Sequence, residues 1–192
     1  MPSRTLLLLR WILFTTMGWI AGIPLLMLLS GILEPVGLGK TAIALGMSLG
    51  ISGFQWLILR KHFPESINWI SLSPAAFTVP FLLVDVFGAG WFTSTEMGIV
   101  TCTLVGSILM AVVQYQFQLK SRGMPLLLWA SVNLFAYALA LVPPFTLTIS
   151  RINQLHLPGA LSVLLSFLTV LAGGPVIGWL TGVVLVRSQS PR

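Results

Sequence analysis

The residues of this sequence that could do chemistry are few: ten Lys and Arg, four Asp and Glu, and two His among 192. Two of the ionisable groups, Lys40 and Asp85, stand at or near the ends of long apolar stretches. A charge placed there is costly unless it is paired, hydrated or put to use. Two roles are open: an ion pair near one membrane surface, or a proton or cation site at Asp85. Three amides, Gln55, Gln114 and Asn133, fall within or at the end of apolar runs. An amide in that setting needs a partner, and a hydrogen bond to a neighbouring helix is the expected one. Ser71 and Ser73 stand in one run much as Ser131 and Asn133 stand in another. Two readings are open for these four: separate interhelical hydrogen bonds, which is the favoured one, or a small polar cluster.

The absences narrow the reaction classes. The histidines, His62 and His156, fall in different connections, and Cys102 is the single cysteine. No His-Glu-x-x-His zinc pattern or cysteine cluster is present. No two aspartates within the apolar runs share a proton, as an aspartyl protease requires. Gly37-Leu38-Gly39-Lys40-Thr41 ends like a phosphate-cradling loop but lacks its leading glycine. The chain is read as a non-enzyme, with no cofactor and no metal site.

The elements that would position these groups follow from composition. Hydrophobic residues make up 56% of the chain and charged residues 7%, against about a quarter charged in a soluble domain. Lipid must be the solvent for much of it, and residues 1–192 are read as one transmembrane domain. The net charge of +6 does not point to nucleic acid, because the basic residues are scattered at the ends of apolar runs and form no stripe. A bilayer core of roughly 30 Å takes about 20 apolar helical residues, and backbone groups there must be satisfied within the segment. Six runs qualify: about 11–32, 41–59, 67–87, 97–119, 125–149 and 159–186. The fold class is all-α, a polytopic transmembrane bundle of six helices. The first run continues past Arg10 to Ile32, too long for a signal core, and is read as a retained first helix.

Orientation follows from the basic residues. Arg4, Arg10, Arg60, Lys61, Lys120, Arg122, Arg187 and Arg192 fall on one side of a six-span chain, and only Lys40 and Arg151 on the other. Glu34, Asp85 and Glu96 lean to that second side, Glu65 to the first. Both ends are therefore expected in the cytoplasm. Trp11, Trp56, Trp69 and Trp129 fall near the cytoplasmic boundary and Trp91 near the other, as an aromatic belt would. Trp56, Trp69 and Trp129, with Arg60, Lys61, Lys120 and Arg122, are read as interfacial anchors.

An offset of 60 residues relates two hairpins, the second and third helices to the fourth and fifth. Gly46 maps to Gly106, Leu59 to Leu119, Arg60 to Lys120, Trp69 to Trp129, Ser71 to Ser131 and Phe77 to Tyr137, while Gln55 misses Gln114 by one position. Both copies point the same way, so this is a parallel duplication. Glycines four apart, at Gly18 and Gly22, Gly46 and Gly50, and Gly174, Gly178 and Gly182, share a helix face and let two backbones approach. Those faces serve packing within the bundle, or, on the sixth helix, docking of another membrane protein or a second copy. Pro24, Pro74, Pro80, Pro143, Pro144 and Pro175 lie in or near the spans, where each removes a backbone donor.

The stretch Gly53-Phe54-Gln55-Trp56-Leu57-Ile58-Leu59-Arg60, followed by Trp69, resembles a group of bacterial multi-pass membrane proteins, many cyanobacterial, in which Gln-Trp-Leu-x-Leu-Arg closes a helix and recurs. The end of the chain, Gly178-Trp179-Leu180-Thr181-Gly182 through Arg187, looks like that group's terminal Thr-Gly helix. The second hairpin departs from the pattern, with Gln114-Tyr115-Gln116 in place of Gln-Trp-Leu. The resemblance implies a bacterial inner or thylakoid membrane location and carries over no functional residue.

Three functions fit: a non-catalytic subunit or assembly factor of a membrane complex, a substrate-binding membrane subunit for small-solute transport, and a lipid-interacting organiser. The first is favoured by the sixth-helix glycines. The partners expected are the lipid bilayer and, through that glycine face, another membrane protein or a second copy.

Overall fold

The computed structural model describes residues 4–61, 66–88, 95–120, 123–143, 161, 168 and 171–188. Among them every regular element is helical. Helix α1 spans Arg4–Leu33 and ends in a 3-10 turn, Glu34–Val36. Gly37 follows at φ 83°, the left-handed region that glycine enters without strain, and turns the chain into α2, Gly39–Leu59. Helix α3 is Ile67–Phe87, α4 Thr95–Gln114 continued by a π-helical turn at Tyr115–Leu119, α5 Leu126–Pro143 and α6 Gly173–Ser188. Four helical segments are long and apolar enough to cross a membrane, and α5 and α6 are shorter apolar helices.

The first helix begins at Arg4, about two turns before the expected Trp11, so Arg10 lies inside it with an exposed side chain. The expected stretches 144–149 and 159–160, most of 161–170, and Arg122, Trp91, His62, His156, Glu65, Arg151 and Pro144 lie outside the described residues.

Substantial contact between helices follows chain order, α1 on α2, α2 on α3, α3 on α4, α4 on α5 and α5 on α6, and α6 returns to α1. The helices therefore form a closed ring. Two clusters of buried apolar side chains fill it. One is built around Trp11, Trp69 and Trp129 at the basic end, where α1 begins, α6 ends and the α2–α3 and α4–α5 turns lie. The other, around Phe77, Phe81 and Tyr137, lies toward the opposite end.

Glycine sets the closest approach. A Cβ on Gly18 would lie 2.6 Å from the Gly50 carbonyl oxygen. One on Gly50 would collide with the Gly18 carbonyl, and one on Gly46 with the Leu26 backbone. Helices α1 and α2 thus touch backbone to backbone, which increases dispersion contact where lipid supplies no hydrophobic drive. The α6 ladder works the same way. Cβ atoms on Gly174, Gly178 and Gly182 would meet Thr16, Ile12 and Trp11 of α1 at 2.9, 2.9 and 2.7 Å. Of the two roles open to this face, packing within the bundle is the one observed: α1 of the same chain covers it.

Asp85, near the end of α3, is the other tie. Its side chain is 1% exposed and pairs with Lys40 at 3.2 Å. Its second oxygen accepts both the Thr41 backbone N–H, 2.7 Å, and the Thr41 hydroxyl, 2.8 Å. The amides of the first turn of a helix have no partner within it, and α2 has no side-chain cap of its own. Asp85 supplies the acceptor from the neighbouring helix. Of the two roles open to this carboxylate, the structure shows the ion pair, with the added cap.

Two expectations follow. Gly50→Ala should lower stability by about 1–3 kcal/mol, the cost of overpacking, while Gly31→Ala, where a new methyl meets nothing within 4 Å, should leave the melting temperature in detergent unchanged. Asp85→Ala should lower that temperature more than Lys40→Met, since it also uncaps α2; equal losses would mean that the cap contributes nothing.

Candidate functional site

The ring interior has two tiers, and side chains from all six helices build them. The tier at the basic end is a layer of three tryptophans. Trp11, Trp69 and Trp129 are 0%, 2% and 1% exposed. Trp11 and Trp69 meet edge to face at 6.0 Å and 81°, and Trp69 and Trp129 lie 6.4 Å apart at 56°, both within the usual range for aromatic pairs. Each lies in the first turns of a helix that leaves the basic end and donates its indole N–H to a helix that returns to that end. Trp69 donates to Gln55 Oε1 at 3.1 Å and Trp129 to Gln114 Oε1 at 3.0 Å. Trp11 donates to Thr181 Oγ1 at 3.0 Å. Gln55 passes the chain on, donating from Nε2 to Thr15 Oγ1 of α1 at 3.1 Å. Thr181 donates to the Ile177 carbonyl at 2.6 Å, and Asn133 Nδ2 to the Trp129 carbonyl at 2.9 Å. The free space inside this layer is about 10 Å³, room for about one water molecule.

Leu59 and Leu119 are both buried, although four residues separate Gln55 from Leu59 and five separate Gln114 from Leu119. The π turn Tyr115–Leu119 takes up the extra residue, since a π turn holds more residues than an α turn. The one-position misfit of Gln114 in the 60-residue offset thereby acquires a physical form, and both amides reach a tryptophan.

Deeper in the ring lies a cavity of about 150 Å³. Trp19 of α1, Met47 of α2, Phe77 and Phe81 of α3, Ile99 of α4 and Tyr137 of α5 are among its walls. Its surface is almost wholly apolar. Ser48 also lines it, but the Ser48 hydroxyl donates to the Ala44 carbonyl at 2.7 Å and offers no free donor. An enclosed cavity of this size and lining stays dry and accepts small apolar guests; this one shares the size and the lining and is partly open. No group of three metal-ligating side chains occurs among the described residues.

The interfacial reading of Trp69 and Trp129 is corrected. They lie beside the basic turns, but they face the bundle interior, because each indole N–H finds an amide there and the rings pack on one another. The same holds for Trp11. Trp56 is half-buried, with the Arg60 guanidinium 5.1 Å from its ring centre, and Arg60, Lys61 and Lys120 are exposed. The four-residue polar cluster does not form. Ser73 and Asn133 are buried, whereas Ser71 and Ser131 face outward, because residues two apart on a helix cannot share a face. The Ser52 and Ser73 hydroxyls are buried without a hydrogen-bond partner. Thr15 and Thr181 were not foreseen. Their signal was available, in threonines placed within apolar helices near the level of the tryptophans.

Comparison with known proteins finds no family model, no curated protein and no solved structure that matches this chain. The geometry of the ring interior stands as the basis for a functional reading.

Gln55→Leu should cost about 1–3 kcal/mol, because it strands the buried Trp69 N–H. Adding Trp69→Phe to that variant should recover part of the loss. Thermal unfolding of the two single variants and the double variant measures the coupling; strictly additive losses would mean that the bond contributes nothing.

Proposed function

We propose that this chain is a multi-pass membrane protein that binds a small apolar solute in the centre of its ring, as the substrate-holding subunit of a transport system. The cavity of about 150 Å³ carries the reading. Side chains of five helices converge on it, it is apolar, and the hydrogen-bonded tryptophan layer closes the ring beneath it. The chain carries no nucleotide-binding loop, so a separate component supplies energy. The charge bias of eight basic residues against two supports cytoplasmic termini, with the cavity in the outer half of the membrane. A bacterial inner or thylakoid membrane rests on the Gln-Trp-Leu-x-Leu-Arg resemblance. The parallel duplication is a proposal of the same kind, supported by the matching Trp69–Gln55 and Trp129–Gln114 bonds. The alternative of a non-catalytic subunit or assembly factor rests on the reading of the whole chain as one membrane domain, and draws no support from the α6 glycines, which pack on α1.

The test is purification from the native membrane in mild detergent, followed by denaturation and mass spectrometry of what is released. A small apolar molecule should appear at near-stoichiometric amount, and Ala44→Leu, which adds side-chain volume to the cavity wall, should eliminate it while the protein still unfolds cooperatively. A stoichiometric protein partner with no retained molecule would return the weight to the subunit reading.

A further inference from the structure

A second apolar space lies on the outside of the ring. The cleft between α5 and α6 holds about 340 Å³ and is lined by Ser131, Phe135, Trp179 and Val183 among others. Its two walls are helical stripes. On α5, Leu127, Ser131 and Phe135 follow at intervals of four, and on α6 so do Trp179, Val183 and Arg187; residues at that spacing stack on one face. The stripes open outward, with Leu127 80%, Phe135 57% and Trp179 56% exposed.

The chemistry changes along the cleft. Trp179 precedes Arg187 by two such intervals, about 12 Å of helix rise. The deep part is aromatic and aliphatic, and the shallow end is a cation that is itself exposed. The α5 wall begins at that same end, just after the turn in which the Gly123 N–H donates to the Lys120 carbonyl at 3.1 Å. Lys120 is exposed as well. A basic rim over an apolar slot, with the change from one to the other at the membrane surface, complements one kind of molecule in the surrounding medium.

We infer that the α5–α6 cleft is a binding site for an anionic phospholipid, its phosphate at Arg187 and one acyl chain between Phe135 and Trp179. The chain fills a slot that straight neighbouring helices would leave void, and the phosphate places the basic end of α6 at headgroup depth. This site is separate from the interior cavity and does not depend on it.

The experiment uses the purified full chain and two lipids with identical acyl chains, phosphatidylglycerol and phosphatidylcholine. Native mass spectrometry should show phosphatidylglycerol bound about fivefold more tightly, the effect expected of one basic residue near the surface. Arg187→Gln should remove that preference. Phosphatidylglycerol brominated at mid-chain should quench tryptophan fluorescence more in the wild type than in Trp179→Phe. Equal affinity for the two lipids, a preference that survives Arg187→Gln, or equal fractional quenching of wild type and Trp179→Phe would each overturn the assignment. So would a co-purifying transmembrane partner that shields Trp179 from the brominated lipid.

Discussion

An indole N–H inside a membrane has no water to bond, and leaving it unpaired is costly. Trp11, Trp69 and Trp129 share that requirement, and the way each meets it organises the ring. Every acceptor stands on an adjacent antiparallel helix, so each bond joins two helices near the basic end: α1 to α6, α3 to α2, α5 to α4. The Gln55–Thr15 bond then ties one pair to the next. Because the three rings also touch, the same residues close the middle of the ring. The space left among them is close to that of one water, so among the described residues the tryptophan layer closes the ring at that level.

The glycine contacts and the Asp85 pair act at other levels. Backbone contact at Gly18 and Gly50 draws α1 and α2 together. The Asp85 carboxylate holds the far end of α3 against the start of α2. Between those ties the side chains are bulky but do not fill the axis, and the cavity is what remains.

An all-helical bundle of about six helices, the spans of the second to fourth and the possibility of a Lys40–Asp85 pair were legible in the sequence, because span length and the cost of charge are properties of single segments. Position along each helix was legible too: Trp69 and Trp129 stand beside the basic turns. Direction around each helix was not. In a soluble protein the polar face of a helix marks the side away from the core. Here lipid and core are both apolar, and helices such as α1 and α6 show almost no asymmetry from face to face. A tryptophan at headgroup depth therefore reads the same whether it looks outward, as Trp56 partly does, or inward, as Trp69 does. The exceptions were the glycines, whose small size matters only against another backbone, so their helix face was readable even though the identity of the neighbour was not. For Gln114 the obstacle was different, since a uniform α-helical count cannot anticipate the π turn that follows it.

Ring closure has a consequence in time. The Trp11–Thr181 bond spans 170 residues, the longest separation among the hydrogen bonds of the tryptophan layer. A ribosome releases α1 well before α6. Until α6 is inserted, the indole of Trp11 lacks its acceptor and the Gly174–Gly178–Gly182 face has nothing to close against. The ring therefore stays open between α1 and α5 until α6 is in place, and its closure waits on the insertion of a helix that follows the other five described ones.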